Sequence, residues 1–147
     1  MTRTRPRSHV TNREAQAVCD FAINVLELLH MPGWQVLVME EPADEDCVAS
    51  ILPIEGKYTA QLYLCTDWMK RSEDERCETV VHEMLHLLHF RINHIFDDAS
   101  HLMHDHEHRD LERRYRRETE LMVDHLAKFL SRTHTMRESW DTAHGKT

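Results

Sequence analysis

Apolar residues recur at helical spacing early in the chain. Val18, Phe21, Ala22, Val25, Leu28 and Leu29 fall on one face of a helix over roughly 13–30. Thr11 or Asn12 can cap its start, since a short side-chain oxygen accepts a free first-turn amide. Pro32 and Gly33 end it. The pattern then shortens. Segments 34–39 and 47–54 are rich in valine, isoleucine and leucine around an acidic loop at 40–46. Segment 58–65 alternates Ala60, Leu62 and Leu64 against Thr59, Gln61 and Tyr63, the period of a half-buried strand. Glu55, Gly56 and Lys57 suit a hairpin turn. Three strands in a small antiparallel sheet, with 58–65 at its edge, are the expectation.

Helical spacing returns after Ser72. Ser72 and Glu75 fit a capping box. The helix it opens should run to about Phe96, burying Val81, Met84, Leu85, Leu88, Ile92 and Ile95. Residues 97–109 gather histidine and aspartate and read as loop or irregular helix. A last helix is expected over about 110–131. Residues 1–10 read as a mobile basic arm, 11–131 as one domain, and 132–147 as a polar tail. The fold class is α+β.

Composition narrows the functional classes. The formal net charge of −8 argues against a whole-protein attraction to nucleic acid. The chain of 147 residues suggests one core. No apolar run is long enough to span a bilayer, and no secretory signal precedes the domain, so a cytoplasmic location is expected. Cys19, Cys47, Cys65 and Cys77 form no CxxC pair, and read as reduced, mostly buried thiols rather than zinc-ribbon ligands. Thirteen histidines are the unusual feature.

Two of them sit in His82-Glu83-Met84-Leu85-His86, an HExxH on a helix. Residues four apart lie one turn above another, so two imidazoles can grip one metal ion. Glu83 then stands beside the ion, where a carboxylate can activate a water as general base. The same five residues could also arise by chance on a solvated helix. The capped start and apolar surroundings favour the metal.

A catalytic zinc needs a third protein ligand. A metzincin pattern would place glycine at 89 and histidine at 92, where His89 and Ile92 stand. Glu120 and Asp124 in the last helix are again four apart, flanked by Val123, Leu126, Ala127 and Leu130. Glu120 is the candidate ligand. Asp124 is the candidate acceptor for the N–H of a ligand histidine, an arrangement that fixes the tautomer. The alternative for both is a solvated face paired with Arg113, Arg114, Arg116 and Arg117. The rival ligand is a histidine among His94, His101, His104, His106 and His108, a cluster that otherwise reads as a solvated segment.

The HExxH helix followed by an ExxxD helix resembles the gluzincin metallopeptidases. At this size it is similar to the minigluzincins and the ImmA/IrrE-like peptidases, including the extra histidine at His89. The resemblance covers about residues 75–130. It implies a zincin-like arrangement: an N-terminal helix and small sheet above, the HExxH helix as floor, and a C-terminal glutamate helix below. It departs at Leu85, where those families commonly have glycine, and in the longer spacing from His86 to Glu120. The run Glu78 to His86 also resembles the SprT-type proteases, which take a histidine as third ligand.

The expected function is a zinc (Zn2+) metallopeptidase acting on a protein or peptide, with Glu83 as general base and acid. Tyr63, Tyr115 and His134 are candidate donors to the developing oxyanion. An extended substrate could add to the sheet edge. One alternative is a non-catalytic zinc-binding regulator, against which an intact Glu83 argues. Another is a SprT-like, nucleic-acid-linked protease. The arginines of 109–117 that would serve it are interleaved with acids, as on a solvated face.

Overall fold

The structure is a computed structural model that describes residues 9–146. Helix α1 (Asn12–Leu28) starts where Thr11 Oγ1 accepts the Glu14 amide. Strands β1 (Gln35–Val38), β2 (Ala49–Pro53) and β3 (Thr59–Leu64) follow. A 3-10 turn at Trp68–Lys70 leads into α2 (Glu73–Ala99), whose first turn is capped by Ser72 Oγ on the Glu75 amide. A second 3-10 turn, Ser100–Leu102, joins it to α3 (Asp105–Ser131), and α4 (His134–Ala143) closes the chain.

The sheet is mixed, not antiparallel. Its order is β1-β3-β2, with β1 parallel to β3 and β2 antiparallel to it. The expected hairpin is present: Gly56 takes φ +74° and the Ile54 amide bonds the Thr59 carbonyl. That tight turn fixes β2 beside β3 and leaves the other edge of β3 open for β1. The segment expected at the edge, 58–65, is therefore the central strand. Its side-chain pattern suits the place, because Ala60, Leu62 and Leu64 are wholly buried while their alternates are half-buried.

The core lies between that sheet face and the helices. Phe21, Val25, Leu62, Leu64, Trp68, Val80, Val81 and Met84 are fully buried. Leu28, expected on the buried face of α1, is exposed. In α2 the apolar stripe is buried only in its first half; Leu88, Ile92 and Ile95 are exposed. A helix of 27 residues is about 40 Å long. It outruns a three-stranded sheet, and its far half packs chiefly on α3. Phe96 stacks on Tyr115 there, with ring centroids 4.6 Å apart. Both helices extend into 97–109, which is interrupted only by the 3-10 turn.

Of the polar tail expected over 132–147, the described part, 132–146, holds a packed helix. Thr133 Oγ1 caps α4 through the Met136 amide, and Met136 and Trp140 are buried. Trp140 meets Phe21 edge-on at 5.1 Å. The buried Glu14 carboxylate ties this end to the rest. It accepts from Trp68 Nε1 at 3.1 Å and Arg76 Nη1 at 2.6 Å, and lies 2.9 Å from His144 Nε2. Of the arm expected over 1–10, residues 1–8 lie outside the described residues, while Val10 is buried and His9 Nε2 bonds the Leu64 carbonyl at 2.9 Å.

Two results are expected of this packing. Trp140→Ala should cost about 3–5 kcal/mol in urea unfolding, as deletion of a fully buried aromatic does. Glu138→Ala, on the exposed side of the same helix, should fall within about 0.5 kcal/mol of the parent. The thiols divide as well. Cys65 and Cys77 are buried, Cys19 half-buried and Cys47 exposed, all free, so fewer are covered than expected. Burial pushes the Cys77 thiol up to about 12, while Cys19 and Cys65 are raised by the same cause. Since the thiolate is the nucleophile, a thiol reagent should label Cys47 alone in native protein and all four sites after unfolding, read by mass spectrometry.

Candidate metal centre

Helix α2 carries His82, Glu83 and His86 alongside strand β2. Glu120 and Asp124 project from α3 on the facing side. The charged tips meet. His82 Nε2 and His86 Nε2 are 3.0 Å apart. Glu120 reaches both, with Oε1 3.0 Å from His86 Nε2 and Oε2 3.5 Å from His82 Nε2. Asp124 Oδ1 lies 2.9 Å behind, against His82 Nδ1. A carboxylate only accepts, so His82 must carry its proton on Nδ1. That leaves the Nε2 lone pair facing His86 and Glu120.

His82, His86 and Glu120 form the one group among the described residues whose ligand atoms converge as a metal site requires, all within 4.8 Å of one another. The spacing fits a small ion. Two donors bonded at about 2.0–2.2 Å to a tetrahedral cation stand about 3.3–3.6 Å apart, so the observed separations need only small adjustments. The donor set of two imidazoles and a carboxylate suits a borderline cation such as zinc. Burial holds His86 below the usual imidazole range, which favours the neutral, ligating form.

Glu83 is buried, only 6% exposed. Burial first, and the charge of Glu120 second, push its carboxyl up to about 8, against a backbone hydrogen bond from Ile51. A cation held by the three ligands opposes both effects, because nearby positive charge favours the ionised carboxyl.

The cluster opens into a cleft of about 660 Å³ between α2 and β2. Strand β2 is the sheet edge on that side. Its pairs Val48–Cys65 and Ile54–Thr59 are bonded to β3. In an antiparallel ladder the bonded pairs alternate, so the main-chain groups of Ala49, Ile51 and Pro53 turn away from β3. Pro53 has no N–H, and the Ile51 amide serves Glu83. The Ala49 amide and the carbonyls of Ala49, Ile51 and Pro53 remain.

All five predicted site residues thus line one cleft. His89 and the cluster His94, His101, His104, His106 and His108 do not join the ligand group. Nor do the arginines of α3 take Glu120 or Asp124: Arg116 pairs with Glu112 and Arg117 with Glu118. Among the oxyanion candidates, the Tyr63 hydroxyl donates to Gln61, and His134 sits exposed beside Glu138. Tyr115 donates at 2.8 Å to Asn93 Oδ1, and it is Asn93 that lines the cleft. Sequence reasoning passed over Asn93; its one signal is its place two turns beyond His86 on the same helix.

No family model, curated protein or solved structure compared with the chain gives a match. Among the described residues, no helix is long and apolar enough to cross a membrane.

Removing each acid in turn should give graded losses. Glu120→Ala deletes a charged donor and should weaken zinc affinity by well over about 100-fold. Asp124→Asn leaves the donors in place and should cost about 10–100-fold. Replacing His101, His104, His106 and His108 together should leave tight binding unchanged. Competition with a chromogenic chelator measures all three, with circular dichroism to exclude loss of fold.

Proposed function

We propose that the protein is a zinc-dependent metallopeptidase that cleaves a peptide or protein substrate. The observation that carries this is the convergence of His82, His86 and Glu120 beside a buried Glu83. A purely structural zinc site has no use for that carboxylate, and burying it without function costs stability.

His82, His86 and Glu120 would hold the metal, and Asp124 would keep His82 in its ligating tautomer. Zinc in that place supplies Lewis acidity, polarising a carbonyl and making a water easier to deprotonate. Glu83 takes the proton from the attacking water and passes it to the leaving amine. The free edge of β2, rather than segment 58–65, offers the main-chain groups on which an extended substrate can align by strand addition. Asn93 is the polar side chain in the cleft with N–H donors left to give, its oxygen already engaged by Tyr115.

The test is cleavage of a mixture of synthetic peptides followed by mass spectrometry. Zinc-loaded protein should yield products, a chelator should stop the reaction, and added zinc should restore it. Products that persist unchanged through chelation would remove the metal from the mechanism. Absence of products from any peptide, with zinc tightly bound, would favour the non-catalytic zinc-binding reading.

A further inference from the structure

A second cavity of about 590 Å³ lies beyond the Pro53 end of the cleft, under the β2–β3 turn. Its walls are apolar and aromatic: Met31, Trp34, Tyr58, Leu87, Leu88 and Phe90. Trp34 and Tyr58 meet edge to face, ring centroids 5.7 Å apart, and Tyr58 is 63% exposed. Such rings left open to solvent are what a peptide anchor residue packs against.

The rim of this cavity runs against the overall charge of the chain. The chain has a net charge of −8. Yet Lys57 and Arg91 both line the cavity, together with His30 and His94, against the single acid Glu55. Neither Lys57 nor Arg91 makes a salt bridge among the described residues, so both charges are free to meet a ligand. Two unpaired cations beside an open aromatic wall match an anionic group attached to an apolar body. The cavity also shares Leu87 and Phe90 with the metal cleft, so one chain can occupy both.

We propose that this cavity is a docking site for a peptide segment carrying a bulky apolar or aromatic residue next to acidic residues. The inference takes its direction from the peptidase reading, since such a segment would be part of the substrate, but the docking itself needs no metal. A nucleic-acid strand is the poorer match. Two cations make no track along a phosphate backbone, and the chain's net charge of −8 repels a polyanion.

Fluorescence anisotropy of the full chain tests it with two short labelled peptides. Each has a central tryptophan, flanked by glutamates in one and by lysines in the other. The acidic peptide should bind at least about tenfold more tightly, and added salt should narrow the gap. The double variant Lys57→Glu with Arg91→Glu, both exposed and so tolerant of change, should abolish or reverse the preference. Tyr58→Ser should weaken both peptides. The measurements are repeated with His82→Ala, which removes a metal ligand; binding should persist there, so failure of the metal reading leaves this result standing. Equal affinity for the two peptides, or an unchanged preference in the double variant, overturns the proposal. So does tighter binding of a single-stranded oligothymidylate competing for the same site.

Discussion

Glu83→Gln is expected to keep zinc and fold while losing peptide hydrolysis by about 10²–10⁴-fold, the usual contribution of a positioned general base. Glutamine has the same size, and its amide can occupy the buried place of the carboxyl beside the Ile51 amide. It cannot accept a proton. In the metal-free chain the neutral form is the favoured one, because burial pushes Glu83 up to about 8. The substitution should therefore leave thermal stability near that of the parent or slightly above it. That combination separates a catalytic loss from a structural one. The measurement is the initial rate on any peptide the parent protein cleaves, beside metal content and the unfolding midpoint. Activity within a few fold of the parent would remove Glu83 from the role of base.

His82→Ala and His86→Ala should each abolish stoichiometric zinc at ordinary protein concentrations. Each deletes one of three converging donors, so the loss should exceed the about 100-fold typical of a supporting residue. The two variants should differ in what they leave behind. His82 is held from the rear by Asp124, so its loss leaves that carboxylate without its partner. His86 loses only contacts within the cluster. Residual affinity should be compared by chelator competition, with metal content by atomic emission. Unchanged zinc in both variants would show that the metal sits elsewhere.

Much of the site was legible because helical spacing is local geometry. His82 and His86, four apart, must share a face of any straight helix, and so must Glu120 and Asp124. The caps at Thr11 and Ser72 were legible for the same reason, since each involves atoms within one turn. The hairpin at Gly56 needed only a short loop and a residue that accepts positive φ.

What spacing could not fix was which faces meet. Two carboxylates four apart on α3 could have turned to solvent, to the arginines beside them, or to His82 and His86. Only the packing of α3 against α2 brought them to the imidazoles and left the histidine cluster aside. Strand order was hidden for a similar reason. The alternation of 58–65 requires one buried face but is silent on neighbours, and the central place went to this strand once the hairpin filled one side and β1 the other. The exposure of Ile92 and Ile95 is a matter of reach, since the apolar stripe continues along α2 after the sheet beneath it ends, while Leu88 opens into the cavity beside the β2–β3 turn. The final segment was misread because Met136 and Trp140 are a sparse apolar signal among polar residues, and Trp140 packs on Phe21, more than a hundred positions away in the chain. The sequence by itself thus determined helices α1, α2 and α3 in outline, the caps at Thr11 and Ser72, and the two pairs of candidate site residues, all set by contacts within a few residues. Tertiary structure alone decided their meeting, because the free energy that selects it comes from burying surfaces far apart in the chain.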